Sequence, residues 1–192
     1  MDDYGGSDNL LLHLSLELVM TAEQERHRLE VAERQLALVQ SFFPRLDSKV
    51  SALFAISSAQ IAVAALNLSA DDLKLWYVAI PAAVFLLAII YTLISLYRCA
   101  YPHLDGGSQS LVYFAEIAKR TESDYIKQYA AVSVKDLTDD LSGQIWRNSE
   151  IVSTKYRWLK HSTIAAMLSL IPWTMFLLAT SLTHWRVPVV GG

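Results

Sequence analysis

The stretch Leu75–Tyr97, LWYVAIPAAVFLLAIIYTLISLY, runs for 23 residues without Asp, Glu, Lys, Arg or His. A hydrocarbon core of about 30 Å is crossed by about 20 apolar residues rising about 1.5 Å each, so this stretch reads as a membrane-spanning helix. Two others join it. Ser162–Thr183 lacks those five residue types over 22 positions and Ser51–Ala70 over 20. Of the 192 residues, 53% are hydrophobic and only 18% charged, against about 25% charged in an ordinary soluble domain. The mean hydropathy is +0.29. The expected fold is therefore an all-α membrane protein: three transmembrane helices with long cytoplasmic helical extensions and no β domain.

The three spans differ in character. The first contains Ser57, Ser58, Gln60 and Asn67 among many alanines. Small residues let helix backbones approach closely, and an amide in lipid needs a partner, so this span is expected to face protein rather than lipid. A buried helix of a soluble bundle is the alternative for this stretch alone. Trp76 and Tyr77 open the second span, Tyr91, Tyr97 and Tyr101 lie toward its end, and Trp158 and Trp185 flank the third. Such aromatics prefer the headgroup level. Pro81 and Pro172 lie inside spans, where neighbouring helices re-satisfy the freed carbonyls and a kink is allowed.

Basic residues next to the spans set the direction. Arg45 and Lys49 precede the first, Arg98 follows the second, and Lys155, Arg157 and Lys160 precede the third. The turn between spans one and two holds Asp71, Asp72 and a single Lys74. By the positive-inside rule the N-terminus and segment 98–161 face the cytoplasm, and the tail 184–192, with Arg186 as the one dissent, faces out. The start does not read as a signal peptide: Met1-Asp2-Asp3-Tyr4 is acidic, and Leu10–Leu14 is short and interrupted by His13, so no secretory processing is expected.

The segments outside the membrane read as helices that continue the spans. Leu18, Ala22, Glu25, Leu29, Ala32, Leu36, Val39, Phe43, Leu46 and Val50 alternate steps of four and three, the spacing of a coiled-coil-like seam over 1–50. That seam serves either intramolecular packing or an oligomer. Pro44 is expected to break or bend this helix just before the membrane. A second long helix starts near Ser133, where Ser133 and Asp136 resemble a capping box. Leu137, Leu141, Ile145, Asn148, Val152, Tyr156 and Leu159 form its seam and lead into the third span. Asn148 there fits a register-fixing device. Between these helices come a turn at Asp105-Gly106-Gly107-Ser108, a helix around Leu111–Lys119, and a short helix over 123–132 capped by Thr121 or Ser123. The organisation is thus 1–50, a hairpin of spans over 51–97 (51–70 and 75–97), 98–161, the third span 162–183, and the tail.

Several function classes are excluded. A net charge of −3 gives no basic field for nucleic acid. Cys99 is the sole cysteine, so neither an intrachain disulfide nor a cysteine zinc site exists, and the thiol reads as a small apolar filler. His13, His27, His103, His161 and His184 form no ligand pair, so no metal site is expected. Gly106-Gly107 belongs to no phosphate-binding pattern. Asp139 and Asp140 read as solvated charges beside Lys135. No catalytic residues emerge, and the chain is not expected to be an enzyme.

Three stretches carry a resemblance. They are Asp47-Ser48-Lys49 before the small-residue span, Val112-Tyr113-Phe114-Ala115-Glu116-Ile117 after the second span, and the run from Asp140 to Tyr156, DLSGQIWRNSEIVSTKY, entering the third. In this order, over about residues 40–183, they resemble the Pycsar transmembrane effector family of bacterial antiphage defence. The resemblance implies a partner pyrimidine nucleotide cyclase that makes cUMP or cCMP during infection. It also implies an effector in the bacterial inner membrane that then impairs membrane integrity in abortive infection. The chain has no room for a β-rich nucleotide-binding domain, so sensing falls to the helices at 1–50 and 98–161 or to a partner.

The residue types assign candidate roles. Arg120, Trp146, Arg147, Asn148 and Tyr156 offer stacking planes and phosphate donors for the nucleotide. Asp47 or Lys49 is expected to meet Lys155 or Glu150 at the membrane boundary. Ser57, Ser58, Gln60, Asn67, Thr163 and Ser169 are the polar groups available to line a pore or join helices. The expected assembly is a homo-oligomer in the lipid bilayer, with no cofactor other than the activating nucleotide. A non-lethal membrane scaffold or channel subunit, recruiting a partner through its helical seams, is the alternative.

Overall fold

The computed structural model describes residues 5–101 and 107–184. The acidic start at 1–4, His103, the Asp105-Gly106 part of the expected turn and the tail beyond 184 lie outside the described residues. Those described form six α-helices and no strand: α1 (Gly5–Gln40), α2 (Phe42–Asn67), α3 (Trp76–Ala100), α4 (Phe114–Ile117), α5 (Glu122–Ala131) and α6 (Val134–His184), with a 3-10 turn at Asp72–Lys74. Three helical stretches are long and apolar enough to cross a membrane.

The break between α1 and α2 has a local cause. Pro44 has no N–H to donate to the Gln40 carbonyl, and its ring crowds that oxygen. α1 stops at Gln40; Ser41 N–H turns back to the carbonyls of Ala37 and Leu38, and its Oγ donates to Leu38 O at 2.7 Å. Pro44 then sits in the first turn of α2, where its missing N–H costs nothing.

The chain divides into two compact units, residues 1–42 with 104–150 and residues 43–103 with 151–192. In the first, Ala32, Leu36 and Leu141 form a buried cluster, with Leu29, Val112, Leu137 and Ile145 packed against it. The expected 111–119 helix is shorter than its sequence predicts: only Phe114–Ile117 closes an α-turn, because Leu111, Val112 and Tyr113 spend their N–H groups on side chains. α5 is capped by Thr121, whose Oγ1 accepts from Asp124 N–H. α6 is capped by Ser133, whose Oγ accepts from Asp136 N–H at 3.1 Å.

In the second unit, burial follows a heptad on every span. Leu46, Ser57 and Gln60 are buried on α2, with Val50, Leu53 and Ala64 half-buried between and beyond them. Val78, Pro81, Phe85, Thr92, Ser95 and Cys99 are buried on α3. Lys155, Leu159, Ser162, Ala166, Ser169, Phe176 and Thr180 are buried on α6. Alternating steps of four and three are the geometry of helices packed side by side. The outward faces are apolar: Leu87 is 67% exposed, Leu168 60% and Leu178 66%. Such a surface is untenable in water and ordinary against acyl chains. α2 ends at Asn67, short of the charge-free limit at Ala70, where Asn67 Nδ2 caps back onto Val63 O at 2.8 Å.

One expectation about α6 is corrected. Its seam passes through Lys155, 6% exposed, while Tyr156 is 52% exposed. A lysine reads as a surface residue from sequence, yet this one has a counter-charge that lets it occupy the buried position.

Candidate functional site

The basic edge of the spans is built around that lysine. Its Nζ lies 2.9 Å from Asp47 Oδ1 and 5.6 Å from the centre of the Phe43 ring. Its carbonyl accepts from the buried Cys99 thiol at 3.3 Å, and Cys99 packs with Leu46 and Leu159. Helices α2, α3 and α6 therefore meet at one residue. Lys49 is not part of the pair; its ammonium lies 5.8 Å from the Tyr156 ring centre. Glu150 is exposed and belongs to the other unit. Arg98 stacks over Trp158 at 4.8 Å.

Within the spans, the candidate polar residues divide. Gln60 Nε2 donates to Ser169 Oγ at 3.4 Å, and Ser169 Oγ donates to Ala166 O at 2.7 Å. Thr163 Oγ1 donates to Leu159 O at 2.8 Å. Ser58 and Asn67 are exposed. Ser57 is fully buried. Three buried polar atoms of the spans, Ser57 Oγ, Gln60 Oε1 and Ser95 Oγ, have no hydrogen-bond partner among the described residues. Two contacts escaped sequence reasoning: Trp173 Nε1–H donates to Gln60 O at 3.1 Å, and Thr183 Oγ1 donates to Asp72 Oδ1 at 3.2 Å. The second buries an aspartate at the far end of the bundle, where Ser69 N–H also donates to it.

The first unit contains a polar clamp. Ser110 Oγ, buried, donates to Asp140 Oδ2 at 3.0 Å, accepts from Gln144 Nε2 at 3.1 Å and accepts from Tyr113 N–H at 2.9 Å. Asp140 Oδ2 also takes Leu111 N–H at 2.7 Å. Asp140 is thus a structural ligand of the loop, correcting its reading as a solvated charge; Asp139 is exposed. The i, i+4 spacing of Asp140 and Gln144 was the available signal. Gln109 has φ 67°, a left-handed conformation that a non-glycine residue holds only when its surroundings enforce it. Here Glu116 Oε2 takes its N–H at 3.1 Å and Arg120 Nη2 donates to its carbonyl at 2.7 Å. Lys119 and the Gln109 N–H together hold the Glu116 carboxyl below its usual range.

The nucleotide candidates are placed unequally. Arg120 spends both terminal nitrogens on the carbonyls of Ser110 and Gln109. Arg147 lies against Gly107, its guanidinium filling the space a Cβ there would need, and its buried Nη1 has no hydrogen-bond partner among the described residues. Trp146 is exposed and Asn148 half-buried on the same helix, whereas Tyr156 belongs to the second unit.

These features define a multi-span α-helical membrane protein in which the helices outside the spans carry their own packed core. The family model of the Pycsar effector protein domain matches residues 31–182, so the chain belongs to the Pycsar effector family. It is a membrane effector of antiphage defence, from a family tied to cyclase-linked systems rather than to a known enzyme activity. No curated protein and no solved structure matches it.

Proposed function

We propose that the protein is a ligand-gated effector of the inner membrane. A cyclic pyrimidine nucleotide, cUMP or cCMP, made by a partner cyclase shifts its helices from a quiet packing to one that breaches the bilayer, giving abortive infection. The observation that carries this reading is the set of unpartnered buried atoms Ser57 Oγ, Gln60 Oε1 and Ser95 Oγ in the spans. A polar atom left unpaired in an apolar medium costs free energy, which is recovered wherever water or a second copy satisfies it. The quiet bundle is therefore poised toward a wetter arrangement. Three spans are too few to enclose a water-filled channel, so the breach takes several copies. Leu18, 70% exposed on the α1 seam, is available to join them. The basic residues at the membrane edges of the N-terminal segment and of 98–161 support a cytoplasmic position for both.

For the nucleotide, Arg147 is the favoured phosphate donor, because its Nη1 has no partner among the described residues while Arg120 is committed to the loop. Trp146 supplies an exposed ring on the same helix. The ligand shifts the equilibrium only through its different affinity for the two packings. Cells expressing the protein should admit a membrane-impermeant dye when cUMP or cCMP is supplied, and admit less with Arg147→Ala. Dye exclusion with both nucleotides would sink the gated reading and favour a scaffold that recruits partners through its seams.

A further inference from the structure

A groove of about 550 Å³ opens between α2 and α6 at the basic edge of the spans. Lys49 and Lys160 stand at its mouth, and Leu53, Ile56 and Ile164 line it further in, with Tyr156 on one wall. Each lysine stands two residues before a charge-free stretch begins, and both line this groove. From Lys49 to Ile56 the helix rises about 10 Å, so the apolar part extends well into the acyl region.

The charges at the mouth are uncompensated. Asp47, the nearest carboxylate in sequence, is taken by Lys155. Among the described residues Lys49 meets the Tyr156 ring and forms no ion pair, and Lys160 is exposed with no carboxylate partner. Two ammonium groups at headgroup level above an apolar slot match one molecular form: a phosphate with acyl chains beneath it. We propose that this groove binds an anionic phospholipid, its phosphate between Lys49 and Lys160 and an acyl chain along Leu53, Ile56 and Ile164. A lipid wedged there braces α2 against α6, so the lipid composition of the membrane sets how readily the spans separate. The proposal does not depend on the nucleotide gating argued above.

The test uses the full chain purified in detergent, with lipid binding counted by native mass spectrometry. Dioleoylphosphatidylglycerol should bind on the order of tenfold tighter than dioleoylphosphatidylcholine, given two lysines near a headgroup. Lys49→Gln with Lys160→Gln should abolish that preference, and the corresponding Arg pair should retain it. Arg157→Gln, which removes a nearby charge outside the groove, should leave it intact. Helical content by circular dichroism shows that each variant is folded. Equal binding of the two lipids would overturn the proposal. So would an Arg157→Gln loss as large as that of the double variant, which means diffuse attraction. Glycerol 3-phosphate binding as tightly as the intact lipid would overturn it too, since the apolar slot then contributes nothing.

Discussion

Lys155 and Asp47 show how one pair of side chains decides the packing of three helices. The lysine is nearly buried and the aspartate more than half exposed, so water screens one side of the pair. Asp47→Asn leaves a buried ammonium without its counter-charge, and should lower the unfolding free energy in detergent by about 1–2 kcal/mol. Adding Lys155→Met should recover most of that loss, because both charges are then gone and the methionine fills a similar volume. If the double variant is no more stable than the single one, the pair is not what places Lys155. In the other unit, Lys119 and the Gln109 N–H hold the Glu116 carboxyl below its usual range. A carboxyl with a depressed folded pKa contributes stability that is present above its unfolded value and lost as pH falls through the folded one. Acidification through and below the ordinary carboxylate range should therefore loosen the 107–120 loop. Amide exchange in that loop should respond less to acid in Glu116→Gln than in the parent.

At the scale of single helices, α1 tests the two uses of a heptad seam. Positions 29, 32, 36 and 39 of the seam are buried or half-buried, whereas Leu18, Ala22 and Glu25 on the same phase are exposed. Leu36→Ala removes a side chain packed in the cluster with Ala32 and Leu141, and should cost about 2–3 kcal/mol in chemical denaturation. Leu18→Ala should change monomer stability by less than about 0.5 kcal/mol. A large effect at Leu18 that grows with protein concentration would show that a second copy covers this end of α1. The break at Ser41 and the cap at Ser133 were both readable, since proline chemistry and a side-chain cap act within four residues. The truncation of the 111–119 helix was not. Its backbone N–H groups are claimed by Ser110 and Asp140, and Asp140 lies about 30 positions away along the chain.

For the whole molecule, the membrane bundle combines an apolar exterior with a seam of Ser, Thr, Gln and small residues. Substituting Ser57→Ala, Gln60→Leu and Ser95→Ala together removes the three unpartnered buried atoms. That variant should raise the melting temperature in detergent by roughly 3 °C or more, and should weaken nucleotide-dependent dye entry. A more stable bundle with undiminished dye entry would separate membrane damage from these groups. Helical architecture and the three spans follow from sequence alone, because crossing a hydrocarbon layer demands long charge-free helices and that demand is local. The α1 seam from Leu29 onward was likewise visible as a period. For the boundary pair the sequence left Asp47 or Lys49 with Lys155 or Glu150, and the tertiary structure joins Lys155 to Asp47; it also supplied the other partners, Asp140 with Ser110, Gln60 with Ser169 and Trp173, and Asp72 with Thr183. Each places a polar or charged group where its residue type alone would not predict it, and each depends on a residue about 30 to 113 positions away. Hydrophobic burial repeats along one helix and leaves a period in the chain, whereas the compensation of a buried polar group is made across helices and leaves none.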